Sequence, residues 1–211
     1  MPNRAKDFNR LVKQAAGCRV CPNLADQSAV LSSGNGSLTA QVVFVAEAPG
    51  RFGAGRTGIP FSGDQSGKNF EILLSHAGWT RDQVFITNAA LCNPLENGNN
   101  RRPTSKEIRN CSFYLETVLK IIRPKIVVTL GGVGLQSINL ILGTKHQLGK
   151  TVATPLVISS SLAFMPRKGY TTPQFILIPL YHPSPRVTHW RRTLPRQKRD
   201  FRKIVSTLKS L

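Results

Sequence analysis

Acidic residues are scarce in this chain. Of its 211 residues 10 are Asp or Glu, against 29 Lys or Arg, for a formal net charge of +19. That shortage implies a polyanionic partner, most simply nucleic acid or an acidic membrane surface. Long apolar runs are missing too, and none approaches membrane-spanning length, which excludes a transmembrane helix. No basic amphipathic helix of the membrane-surface kind stands out, so nucleic acid is expected rather than a lipid surface. The N-terminus lacks the charged-then-apolar pattern of a signal peptide. A cytoplasmic, intracellular protein is therefore expected, with reduced thiols and no disulfides. Apolar residues at 40% and charged residues at 18% exclude a disordered chain, and the length suits one domain spanning 1–211.

What the chain does have is a glycine-rich stretch, Glu47 to Gly67, reading EAPGRFGAGRTGIPFSGDQSG. It follows QVVFVA, whose β-branched and aromatic residues predict a short buried strand ending at Ala46. Among the glycines sit the carboxylates Glu47 and Asp64, the arginines Arg51 and Arg56, and one apolar anchor, Phe61. A loop this long inside a domain is usually functional, and charges of both signs around an aromatic point to a site.

The four cysteines are Cys18, Cys21, Cys92 and Cys111. Cys18-x-x-Cys21, between a glycine and a proline, suits a tight turn that holds two thiolates on one ion. A thioredoxin-like motif would need a preceding βα pattern, which is absent. In a reduced chain a four-thiolate site is expected, for zinc or for an iron–sulfur cluster; spacing alone does not choose.

Periodicity predicts a helix within 1–17, a helix after Gly67 and a second strand at Val84 to Ala90. A polar loop is expected from Leu91 to Pro103, then a helix opened by the capping box of Thr104 and Glu107. Lys125 to Leu130 reads as a third strand, followed by a tight turn and helix at Gly131 to Gly134 that lacks the acidic residue of a dinucleotide fingerprint. Residues 143–174 read as a hairpin or a long basic loop, and Phe175 to Tyr181 as a fourth strand ending at His182. The tail from Trp190 is dense in Arg and Lys before a short helical face. The expected fold is α/β, a three-layer αβα sandwich around a central four-stranded parallel sheet in a single domain. Ligands of such sheets bind beyond the carboxyl ends of the strands, where Glu47, Asn88, the Gly131 turn and His182 all fall.

EAPG, a Gly-x-Pro-Phe segment, TN on the second strand and HPSP after the last strand, in that order, resemble the uracil-DNA glycosylase superfamily. Glu47 and Asn88 resemble its family four; the Gly53–Gly67 segment and the basic residues after His182 resemble family five. The resemblance implies a 4Fe–4S cluster on Cys18, Cys21, Cys92 and Cys111 in preference to zinc. It also implies a monomer acting on uracil-containing or otherwise deaminated DNA, and no membrane.

The chemistry fits that implication. Hydrolysing an N-glycosidic bond builds positive charge on the sugar, which Glu47 or Asp64 could stabilise while orienting water. His182 could donate to O2 of the departing base, and Phe61 could stack on a base rotated out of the duplex. Asn88 could present a carbonyl to N3–H of uracil and an amino group to O4. Ala48 and Gly50 would lie beside the base, and Arg186, Arg191 and Arg192 would grip phosphates. The alternative is a non-catalytic, metal-containing α/β domain that binds nucleic acid.

Overall fold

The computed structural model describes residues 3–158 and 174–211. Its elements in chain order are α1 (Arg4–Ala16), β1 (Val42–Ala46), α2 (Ala54–Thr57), α3 (Gln65–His76), β2 (Phe85–Asn88), β3 (Leu95–Glu96), β4 (Asn99–Asn100), α4 (Ser105–Ile122), β5 (Ile126–Leu130), α5 (Gly132–Leu142), α6 (Leu148–Thr151), β6 (Leu156–Ile158), β7 (Phe175–Leu180), α7 (Pro185–Trp190) and α8 (Leu194–Lys209).

Local chemistry sets the helix starts. The Asn3 side chain accepts from Lys6 N to open α1, and Asp64 does the same for α3 from Gly67 N. At α4 the expected capping box is complete: Thr104 Oγ1 accepts from Glu107 N, and the Glu107 carboxylate accepts from Thr104 N.

The strands alternate their side chains between two apolar layers. Val43, Val45, Val127 and Leu177 pack beneath α1, α4 and α5 with Phe8, Leu115 and Ile138. Val42, Phe44, Val128 and Ile178 face the other way, onto Phe70 and Leu73 of α3 and Phe201 and Ile204 of α8. This period of two across a sheet with helices on both faces is what makes three layers.

The sheet order is β2-β1-β5-β7-β6. The first four strands are mutually parallel, as expected, with Val45 paired to both Thr87 and Thr129. The expected count of four strands needs correction: β6 adds a fifth, antiparallel to β7 at the sheet edge. It is three residues long, follows Pro155, and leaves Val157 exposed, too little pattern for periodicity to detect. It falls in the stretch 143–174, which also contains α6; residues 159–173 of that stretch lie outside the described residues. No helix among the described residues is long and apolar enough to cross a membrane.

Candidate active site

Between β1 and β5 the strand order reverses, and loops from the carboxyl ends of β1, β2, β5 and β7 enclose a cleft of about 780 Å3. Its floor continues the sheet. Ala89 N donates to Ala46 O at 2.9 Å, Ala90 N to Glu47 O at 3.1 Å, and Gly131 N to Leu180 O at 2.7 Å. Gly131 has φ +92°, and a Cβ there would lie 3.3 Å from that of His182, so the turn after β5 can pass close to the imidazole.

The structure brings the expected site residues together. The carboxylates Glu47 and Asp64, the imidazole of His182, the amide of Asn88 and the ring of Phe61 all line the cleft, as do Ala48, Gly50 and Arg186. Asn88 ends β2 and is 4% exposed, yet its Nδ2 has no hydrogen-bond partner among the described residues. Leaving a buried donor unpaired costs about 1–3 kcal/mol unless something else meets it. Phe61 stacks on Phe70 at 4.5 Å between centroids and lies 5.4 Å from the His182 ring.

The two carboxylates differ in their surroundings. Asp64 Oδ1 is engaged as the cap of α3, 2.8 Å from Gly67 N. Glu47 is held above the usual carboxylate range by burial, which the Arg102 guanidinium partly opposes. Burial pushes His182 down to about 4, against a weaker upward pull from Asp64, so the imidazole is neutral at neutral pH. Ser184 N donates to its Nδ1 at 3.1 Å, which assigns the ring proton to Nε2.

Several contributors escaped the sequence reading. Leu91 to Pro103 is not simply loop, because β3 and β4 pair as a small hairpin with Leu95 opposite Asn100. Its turn is Asn97-Gly98, both at positive φ, a two-residue signature that was there to find. The hairpin carries Asn100 to the cleft, and Arg101 and Arg102 follow it there. Arg101 forks onto Glu107, with bonds of 2.6 and 2.8 Å. Arg191 lines the cleft, but Arg192 does not match its expected phosphate role: its guanidinium forks onto the buried Asp200. An acid eight residues further along, invisible to local pattern, claims that arginine.

The four cysteines line one small cavity, together with Leu24, Ala90 and Asn110. All four are half-buried free thiols. Asn110 Nδ2 donates to Cys21 Sγ at 3.3 Å and Leu91 N to Cys111 Sγ at 3.4 Å. Burial, reinforced by the neighbouring thiols, pushes Cys92 up to about 11; burial pushes Cys111 up to about 12. Among the described residues no three His, Cys, Asp or Glu side chains form an arrangement that could hold a single metal ion.

Residues 33–209 match the model of the uracil DNA glycosylase superfamily. The chain is 34% identical over 177 residues to a type-4 uracil-DNA glycosylase of Sulfurisphaera tokodaii, covering 81% of this chain and 71% of that one. It is 38% identical over 126 residues to a type-4 uracil-DNA glycosylase of Archaeoglobus fulgidus, 60% of each chain. It is also 38% identical over 121 residues to a type-5 uracil-DNA glycosylase of Pyrobaculum aerophilum, 51% of this chain and 52% of that one. Similarity to both types parallels the mixed motifs of the sequence.

Proposed function

Because the chain belongs to the uracil DNA glycosylase superfamily, we propose that it hydrolyses the N-glycosidic bond of uracil in DNA, leaving the abasic site from which base excision repair proceeds. The observation that supports this most directly is the buried, unpartnered Nδ2 of Asn88 in a cleft that also presents an aromatic ring and a neutral imidazole.

Uracil offers O4 as an acceptor and N3–H as a donor. Asn88 Nδ2 meets the first and its Oδ1 the second. Cytosine reverses both and would leave buried groups unpaired. The Phe61 ring stacks on the extruded base, with Ala48 and Gly50 alongside, while Arg186 and Arg191 hold phosphates. As the C1′–N1 bond breaks, negative charge grows on O2 of the base and the His182 Nε2–H donates to it. The Glu47 carboxylate stabilises the cationic sugar and takes the proton of the water that adds to C1′. Asp64 is the second candidate for that task, though its cap on α3 already engages one oxygen.

Cys18, Cys21, Cys92 and Cys111 would hold a 4Fe–4S cluster. Four thiols around one cavity, two of them already accepting N–H hydrogen bonds, suit thiolate ligation. Such a cluster supplies no electrons to a hydrolysis; bound there, it would tie the segment after α1 and the loop after β2 to α4. Protein purified without oxygen should contain iron and sulfide at about four each per chain, where a single zinc would exclude the cluster.

The test of activity is single-turnover cleavage of uracil-containing DNA at saturating enzyme, followed by alkali, with hypoxanthine and xanthine as further substrates. Asn88→Asp and His182→Ala should each lower uracil release about a hundredfold while DNA binding holds. Wild-type rates in both variants would mean that the base binds elsewhere. No release of any base by the wild type would leave a nucleic-acid binder.

A further inference from the structure

Phe61 is the one aromatic residue among the described positions with positive φ, at +50°. That conformation is unfavourable for a bulky L-residue, because Cβ crowds the backbone. Something outside the loop must hold it, and the contacts converge on Arg81, in the short turn Arg81–Gln83 that leads into β2. Arg81 Nη2 donates to two successive carbonyls, Pro60 O at 2.6 Å and Phe61 O at 2.8 Å. Its Nε donates to Glu71 Oε1 on α3, so the fork is itself oriented by a carboxylate. From the other side Gly67 lies against the same peptide: a Cβ there would come within 2.5 Å of Phe61 O. Arg81 does not line the cleft, and its side chain is 29% exposed.

We infer that Arg81 is a positioning residue for base recognition, acting through the backbone of Phe61. By holding both carbonyls on one side, the guanidinium keeps residue 61 in its left-handed conformation. That lays one face of the Phe61 ring on Phe70 and leaves the other for the cleft. Without the fork, the peptide can return to a right-handed conformation and the ring leaves its place. Lysine cannot substitute, because one ammonium does not supply a planar fork for two carbonyls and a carboxylate. The inference rests on the proposal that Phe61 stacks on the extruded base, and the experiment separates the two.

Single-turnover release of uracil is measured for wild type, Phe61→Ala, Arg81→Met and the double variant, with binding to DNA carrying a stable abasic analogue followed separately. Phe61→Ala should lower the rate about tenfold to a hundredfold, the worth of one base stacking contact. Arg81→Met should lower it about tenfold on its own but less than about twofold in the Phe61→Ala background, because its effect passes through that ring. Abasic DNA, which has no base to stack, should bind Arg81→Met as tightly as wild type. Multiplicative losses in the double variant, or equal weakening of abasic binding, would overturn the role of Arg81. A wild-type rate for Phe61→Ala would instead overturn the stacking proposal on which it rests. Should Arg81→Met fail to fold, Arg81→Lys and Glu71→Gln probe the same fork. Arg81→Lys should lose about as much as expected of Arg81→Met and Glu71→Gln less; both losses should vanish once Phe61 is removed, and losses that persist there would overturn the inference.

Discussion

Two pairs of adjacent arginines border the cleft, Arg101 and Arg102 after the β3–β4 hairpin and Arg191 and Arg192 between α7 and α8. In each pair one guanidinium forks onto a buried carboxylate and the other does not. Arg101 forks onto Glu107, which is 6% exposed, and Arg192 forks onto Asp200, which is 3% exposed. Arg102 and Arg191 line the cleft without a carboxylate partner of that kind; Arg101 also reaches the cleft from its fork, and Arg192 does not. The difference lies in where the few acids are. A buried carboxylate demands a partner and takes the arginine nearest in space, and the remaining cations are left for a polyanion.

The largest effect should come from breaking an inward pair. Arg101→Met strands the Glu107 carboxylate beneath the hairpin, and stability measured by urea unfolding should fall by about 3–5 kcal/mol. Arg101 holds Glu107 below the usual carboxylate range. The pair's contribution is therefore present above the ordinary carboxylate pKa and fades as pH falls through the lowered one. If Arg101→Met unfolds at wild-type urea, the pair is not structural. Arg192→Ala should behave likewise, losing stability without changing how DNA binding depends on salt.

The outward members should do the reverse. Arg102→Ala and Arg191→Ala should leave stability within about 0.5 kcal/mol. Each should flatten the slope of log affinity for DNA against log salt by about one, without altering base preference. An unchanged slope would mean that these side chains do not meet phosphate.

The smallest effect separates the two outward arginines. Arg102 opposes the burial that raises Glu47. Removing it should move the acid limb of the uracil-release profile to higher pH, whereas Arg191→Ala should leave that limb in place. Identical limbs would show that Glu47 does not govern the rate.

Much of the fold was legible because its signals are local. The β-branched runs of β1 and β5 and the Thr104–Glu107 box each declare themselves within a few residues. The cleft was legible because parallel topology carries Glu47, Asn88 and His182 to one end wherever they stand in sequence. What escaped depends on distance. Nothing near Arg101 or Arg192 tells which of two identical neighbours will meet a buried acid, and β6 exists only because β7 offers an edge. Arg81 was illegible for the same reason, since its partners lie 20 and 21 residues upstream. The Asn97-Gly98 turn is the exception: its signal was local and went unread.

The hydrogen bonds that run past the strand ends into Ala89, Ala90 and Gly131 make the floor of the cleft part of the sheet. Those three amide protons should therefore exchange with solvent as slowly as the ladder protons of β1 and β5, opening only when the whole sheet opens. Groups hung from such a floor have little room to adapt to what they meet. On the proposed function, the bending, unstacking and rotation of recognition then fall to the DNA, and a base that leaves its stack easily is the one expected in this cleft.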